Sequence, residues 1–207
     1  MSFEGFPVAA LDFYDDLEAD NSRSFWTAHA DVYETCVRTP MRELADALTE
    51  DFGDVKMFRP HRDVRFSKDK TPYKTYQDMF VPVGPALGWY MRISAPGVMV
   101  GAGFYDASSE SLRALREVIA GPRGSELEQL LAPLLKAGWE LGGEQVATVP
   151  RGYDKDHPRI SLLRHKALHA SHGYGFEPII HTPQLLDAVR DDWTAARPLV
   201  EWLAEIL

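Results

Sequence analysis

One cysteine, Cys36, is all that the 207 residues contain. No internal disulfide can form, and a reducing, cytoplasmic setting is the natural reading. Cys36 lies in the helical pattern VYETCVRTP and is expected to be a buried structural thiol rather than a nucleophile. Long apolar runs are missing too: nothing approaches the roughly 20 apolar residues that a membrane-spanning helix needs. The N-terminal stretch MSFEGFPVAALDFYDD has no basic leader and turns acidic within its apolar part, which argues against a secretory signal. Glycine-rich loops of phosphate-binding spacing are absent, as are HExxH and a two-histidine-plus-carboxylate spacing. His169 and His172 would face opposite sides of a strand. No metal site is expected, and the sequence names no cofactor.

Positive charge is scarce on average. Twenty-two Lys and Arg stand against 31 Asp and Glu, for a net charge of −9. That balance opposes attraction to duplex nucleic acid or to an anionic membrane. The deficit is uneven. Residues 56–76 hold seven Lys or Arg and two Asp, which leaves −14 on the rest of the chain. A basic island on an acidic body can gather an anionic ligand locally.

What the chain has in plenty is apolar and aromatic material. It is 45% hydrophobic, with five Trp, eight Tyr and ten Phe, enough to bury a substantial core in one domain spanning residues 1–207. Ala10, Phe13, Tyr14 and Leu17 form a helix stripe within Pro7–Leu17. Asn21 or Ser22 can cap a second helix carrying Trp26, Ala30, Tyr33 and Val37, which Pro40 should end or kink. A third helix comes next, through Met41, Leu44 and Leu48, and closes at Gly53. Residues 80–83, 89–93 and 98–104 read as antiparallel strands of a meander. Ser108 or Ser109 opens a helix that ends at Gly121, and a leucine-rich helix runs on to Gly138. GWELGGEQVATVPRGYDKDHP reads as a hairpin and then an ordered loop, with Asp156 and Pro158 starting a helix. A strand is expected over 167–172. The last helix opens at Thr182-Pro183 and carries Leu186, Val189, Trp193, Ala196, Val200, Leu203 and Leu207. Pro198 interrupts that pattern, so a core-facing stripe is expected over a coiled-coil seam. The expected class is α+β, a mainly antiparallel sheet packed with helices from both chain ends.

The basic island lies in FRPHRDVRFSKDKTPYKTYQDMF, residues 58–80. Beyond Pro60, Asp63–Phe66 suits a short strand with Val64 and Phe66 as anchors, and Asp63 and Arg65 on the other face. SKDKTP has the composition of a turn, from which Tyr73, Lys74 and Tyr76 lead into the next strand. Guanidinium groups bind phosphate or carboxylate through paired planar hydrogen bonds, and lysines add point charge. Arg59, Arg62, Arg65, Lys70 and Lys74 are therefore candidate anion ligands, with Tyr73 at the rim. Two other readings stand beside this one. Asp63 and Asp69 could pair with Arg62, Arg65 or Lys70 in an ion-pair network that closes the sheet. The island could also dock an acidic protein or single-stranded nucleic acid, since Phe66, Tyr73 and Tyr76 interleave with its cations. If a reaction occurs, Asp63 or Asp69 is the acid–base candidate. Ser67–Lys70 reads S-x-x-K, but Thr71-Pro72 is a turn where that motif needs a helix. The segment PRGYDKDHP adds Arg151, Lys155, His157 and Arg159, a Gly152 suited to a turn, and a helix start at Asp156.

RDVRFSKDKTPYKT, with FP near the N-terminus, PRGYDKDHP and LLRHK, resembles a family of conserved hypothetical proteins, a domain of unknown function found sparsely in bacteria and some fungi. The resemblance covers nearly the whole chain. It implies a single domain and marks Arg62, Asp63, Arg65, Phe66, Lys70, Tyr73 and Lys74 as signature positions. It also draws Arg151, Gly152, Tyr153, Asp154 and Lys166 into the candidate site. It implies no activity, substrate or cofactor.

Overall fold

The computed structural model describes residues 2–65 and 68–207. Helices form where apolar residues recur at helical spacing. Helix α1 (Val8–Ala19) buries Ala10, Leu11, Phe13, Tyr14 and Leu17 on one face. Helix α2 (Arg23–Val32) is capped by Ser22, whose hydroxyl accepts from the Phe25 N–H at 3.1 Å.

Pro40 does not end the helical run. A π turn, Tyr33–Arg38, carries α2 into α3 (Thr39–Phe52), and Pro40 sits in the first turn of α3. Proline lacks an N–H and its ring crowds the carbonyl one turn back. The wider i→i+5 winding just before it relieves both problems without breaking the rod. Helix α3 stops at Gly53, whose φ of +100° a side chain would disfavour.

Among the described residues six strands come next: β1 (Lys56–Met57), β2 (Tyr76–Gly84), β3 (Leu87–Ser94), β4 (Gly97–Phe104), β5 (Glu140–Gly142) and β6 (Leu168–Gly175). They form a sheet in the order β1-β2-β3-β4-β6-β5. Tight turns join β2 to β3 and β3 to β4, as antiparallel neighbours require. Helices α4 (Ser109–Ala120) and α5 (Gly124–Lys136) separate β4 from β5. The short α6 (Ile160–Leu163) precedes β6, and α7 (Gln184–Ala204) ends the chain. The fold is α+β, with a mainly antiparallel sheet and helices from both chain ends.

Three local expectations need correction. Asp63, Val64 and Arg65 lie outside any strand, and the other proposed anchor, Phe66, lies with Ser67 outside the described residues. GWELGG makes no local hairpin: β5 pairs antiparallel with β6, Leu141 opposite Ala170. Asp156 does not start a helix either. Its N–H is held by the Asp154 carboxylate at 2.8 Å, and the residue before α6 is Arg159.

The chain divides into two compact units. The first takes the chain up to Val81, Tyr90–Val100 and Gly173–Asp191. Phe6, Tyr14, Leu17, Met41, Leu44, Met79 and Met91 are fully buried in it. The second takes Pro82–Trp89, Gly101–His172 and Asp192–Leu207. Phe104, Ile119, Leu127, Leu163 and Trp193 belong to its core, where the Trp89 indole N–H donates to the Trp193 carbonyl at 3.2 Å. Along α7, Val189, Trp193, Ala196, Val200 and Leu203 are buried and Leu186 is half-buried, as is Leu207 just beyond the helix. The stripe is a core stripe.

Candidate functional site

The basic island begins as a continuation of the β1–β2 ribbon, all of it in the first unit. Lys56 stands opposite Phe80 and Met57 opposite Met79, and the Phe58 N–H donates to the Asp78 carbonyl at 3.1 Å. Further out, His61 pairs with Tyr73, Arg62 N–H donates to the Pro72 carbonyl at 2.9 Å and Lys74 N–H to the Pro60 carbonyl at 2.8 Å. Between these points one strand runs from Phe58 to His61 while its partner runs the longer path from Asp78 to Tyr73. The second strand therefore bulges over Lys74–Gln77, which re-aims its side chains.

Helical residues hold this ribbon in place. Asn21 is no cap: its amide donates to the Tyr73 carbonyl at 3.0 Å and its oxygen accepts the Tyr73 N–H at 3.1 Å. A side chain thus serves Tyr73 as a neighbouring strand would. The Tyr73 ring is 6% exposed and stacks on Trp26, with centroids 4.2 Å apart and planes 7° from parallel. It anchors the segment from within. Gln77, 1% exposed, accepts from the Tyr33 hydroxyl at 2.6 Å and donates to the carbonyls of Phe58 and Asp78, each at 2.8 Å. Its amide is fully satisfied.

Much of the signature charge is answered locally. Arg62 pairs with Asp69. Arg65 forks onto Asp63 at 2.9 and 2.6 Å, and Lys70 donates to the Val64 carbonyl at 2.9 Å. Asp63 is held below the usual carboxylate range by the Arg65 side-chain and main-chain bonds. Asp69 is held low by the Thr71 N–H and hydroxyl, then by Arg62. Carboxylates stabilised as anions make poor proton donors. Their geometry suits ion pairing.

Lys74 has different surroundings. Its ammonium lies 5.1 Å from the Phe58 ring centre and 5.7 Å from that of Tyr76, and Lys56 lies 5.3 Å from Phe58. The Arg92 guanidinium, from β3, sits 3.7 Å from the Tyr76 centroid. Burial pushes the Lys74 pKa down; the Asp78 carboxylate acts against this, and Arg92, Arg59 and Arg62 add repulsion. Asp78 is 6% exposed. It accepts from Arg92 Nε at 2.8 Å and Nη2 at 3.4 Å, and from the Tyr90 hydroxyl. Burial, then the Asp78 charge, pushes the Tyr90 hydroxyl pKa far up, so it stays a donor.

Arg92 escaped the sequence reading, although a signal was present. LGWYMRIS buries alternate residues, and its lone Arg falls on the other face. The lone Asp of YQDMFV stands on the strand that precedes it. Opposite charges, one on each of two consecutive strands, mark a cross-strand pair.

A cleft of about 880 Å³ shares Phe58 and Arg59 with this cluster. Tyr33 and Arg38 of the π turn, Arg42 of α3 and His61 also line it. Arg38 and Arg42 share Glu34, at 3.0 and 3.7 Å. Arg59 forms no ion pair among the described residues. Arg59, Arg62, Tyr73 and Lys74 thus come together in the first unit, with Arg65 and Lys70 on the loop beyond them. Arg151 and Lys166 belong to the second unit. Lys166 pairs with Glu144 at 2.5 Å, and Arg151 lines a smaller pocket.

Cys36 is half-buried in the π turn rather than buried. Among the described residues, no group of three or more His, Cys, Asp or Glu is placed to hold a metal ion, and no helix is long and apolar enough to cross a membrane. No curated protein and no solved structure matches the chain. The family described as conserved hypothetical protein (DUF2461) matches residues 9–202, and the chain belongs to it.

Proposed function

We propose that the first unit binds a small anionic molecule, phosphorylated or carboxylated, at Lys74, Arg59 and Arg92. The gathering of cations around Lys74 carries this reading: Lys74 and Lys56 both lie within 5.3 Å of the Phe58 ring centre and Arg92 lies over Tyr76. Behind burial and the attraction of one buried carboxylate, Asp78, the charges of Arg92, Arg59 and Arg62 repel the Lys74 ammonium. An incoming anion relieves that repulsion. Phe58 and Arg59 lead from the cluster into the cleft, which has room for the rest of a ligand. Base stacking by a single nucleic-acid strand is less well served. Tyr73 lies under Trp26, and cations already stand over Tyr76 and Phe58. Arg65 and Lys70 act in this reading as struts of the loop. The lone Cys36 supports a cytoplasmic setting, and a family match over residues 9–202 supports one domain.

Thermal melts with inorganic phosphate, pyrophosphate and citrate test the reading. A ligand at ten times its Kd adds about 1.4 kcal/mol, which for a chain of this size raises Tm by roughly 3–6 °C. Lys74→Ala and Arg59→Ala should abolish the shift, and Arg65→Ala should keep it. No shift with any of the three anions, or a full shift in Lys74→Ala, would sink the idea. Tight oligothymidylate binding with a steep salt dependence would favour the single-strand reading instead.

A further inference from the structure

The second unit contains a positive pocket of its own. It is a cavity of about 310 Å³ where α4 faces residues 151–153. Arg113 and Arg116 enter it from α4, one turn apart and so on one face of the helix. Arg151 lines it from the 151–153 turn, and among the described residues of the lining Glu117 is the one carboxylate.

Arg116 is fixed before any ligand arrives. Its Nε donates to the Leu163 carbonyl at 2.8 Å and its Nη2 to the His165 carbonyl at 3.4 Å. Main-chain carbonyls orient a guanidinium without cancelling its charge, because they offer partial and not full negative charge. Arg113 and Arg151 form no ion pair among the described residues. Gly152 has φ +93° with open space where a Cβ would stand, so a turn that side chains disfavour places Arg151 and Tyr153 at the pocket. Burial, then Glu117, raises the Tyr153 hydroxyl pKa while Arg116 lowers it. The phenol remains a neutral donor near neutral pH.

We propose that this pocket is a second anion site, built for a compact dianionic group such as a phosphate, with Arg113, Arg116 and Arg151 as its cationic ligands and the Tyr153 hydroxyl as a further donor. The surplus of three guanidinium groups over one carboxylate supplies the attraction. Forked N–H groups match phosphate oxygens in number and plane. The site stands on residues other than those proposed above, so either can fail alone.

The test monitors arginine Nε–H and backbone amide NMR signals during titration of the full chain with inorganic phosphate, chloride holding the ionic strength constant. Signals of Arg113, Arg116, Arg151 and Tyr153 should trace one saturating curve. The double variant Arg113→Ala/Arg151→Ala spares Arg116 and its carbonyl contacts, so the fold should keep its amide dispersion. In it, Arg116 and Tyr153 should titrate with affinity lower by roughly tenfold or more, as loss of charge-assisted hydrogen bonds implies. Lys74→Ala should leave this curve unchanged. A linear drift without saturation, or equal curves in wild type and double variant, overturns the second site. Loss of the Lys74-dependent curve alone would count against the first site and leave this one standing.

Discussion

Asp78 carries a charge at 6% exposure, between Arg92 and the Tyr90 hydroxyl. Removing it would take the carboxylate from the Arg92 guanidinium and the Tyr90 hydroxyl that donate to it. Asp78→Ala should therefore cost about 3 kcal/mol, the lower end for a broken buried pair, because the Arg92 side chain, 32% exposed, regains some water. Urea unfolding checks this: the midpoint should fall with an unchanged slope. Lys74 makes a pH prediction at the same scale. Burial first, and then its arginine neighbours, depress its pKa, so it loses its proton at lower pH than an ordinary lysine near about 10.4. Anion affinity should fall as pH rises through that depressed value. Phosphate titrations between roughly pH 8 and 11 should show the loss in wild type, and Lys74→Arg should delay it. Coincident profiles would remove Lys74 from the site.

Among the elements, the helices were the most legible, because stripe and cap agree locally. Ser22 caps α2 and Gly53 ends α3 where their residue types direct. The basic loop misled a parity reading. Asp63 accepts the Arg65 N–H at 3.2 Å and Asp69 accepts that of Thr71 at 2.9 Å. Such local side-chain bonds compete with a strand ladder. β5 misled for the opposite reason, since its partner, β6, lies beyond α6 and local pattern carries no trace of it. The part of Asn21 was equally illegible, because its target is Tyr73, far along the chain. Asn21→Ala exposes its importance. It strips two bonds from the Tyr73 backbone and removes no charge, so it should cost about 1–3 kcal/mol and also weaken phosphate binding. Parallel unfolding and thermal-shift measurements check both effects; full anion affinity in that variant would show that the ribbon needs no such tether.

For the molecule as a whole, pH acts through two imidazoles in the second unit, His165 buried and His169 half-buried. Burial lowers the pKa of His165 and of His169. The His165 ring accepts from the Gln145 amide at 2.9 Å and donates to the Ala167 carbonyl at 3.0 Å. His169 Nδ1 is buried without a hydrogen-bond partner among the described residues. With folded values below the unfolded value near about 6.5, the unfolded chain binds more protons in the window beneath it. Stability is then complete above that pH and falls as pH drops through the window, by at most about 1.4 kcal/mol per pH unit for each group. Thermal melts from neutral to mildly acidic pH should show this limb. His169→Phe keeps a ring against Tyr105, 4.8 Å away, and should make the limb shallower. An unchanged slope would assign the acid sensitivity to other groups.

The π turn has a last consequence, which concerns phase. Relative to an α-helix it holds one residue too many, and each α residue advances the helix face by about 100°. The helical segments before Tyr33 and after Arg38 are thereby set at an angle that no uninterrupted helix would give. Trp26, on the early side, meets Tyr73, while Arg42, on the late side, meets the cleft. One supernumerary residue works like a gear tooth, indexing two helices to the same ribbon.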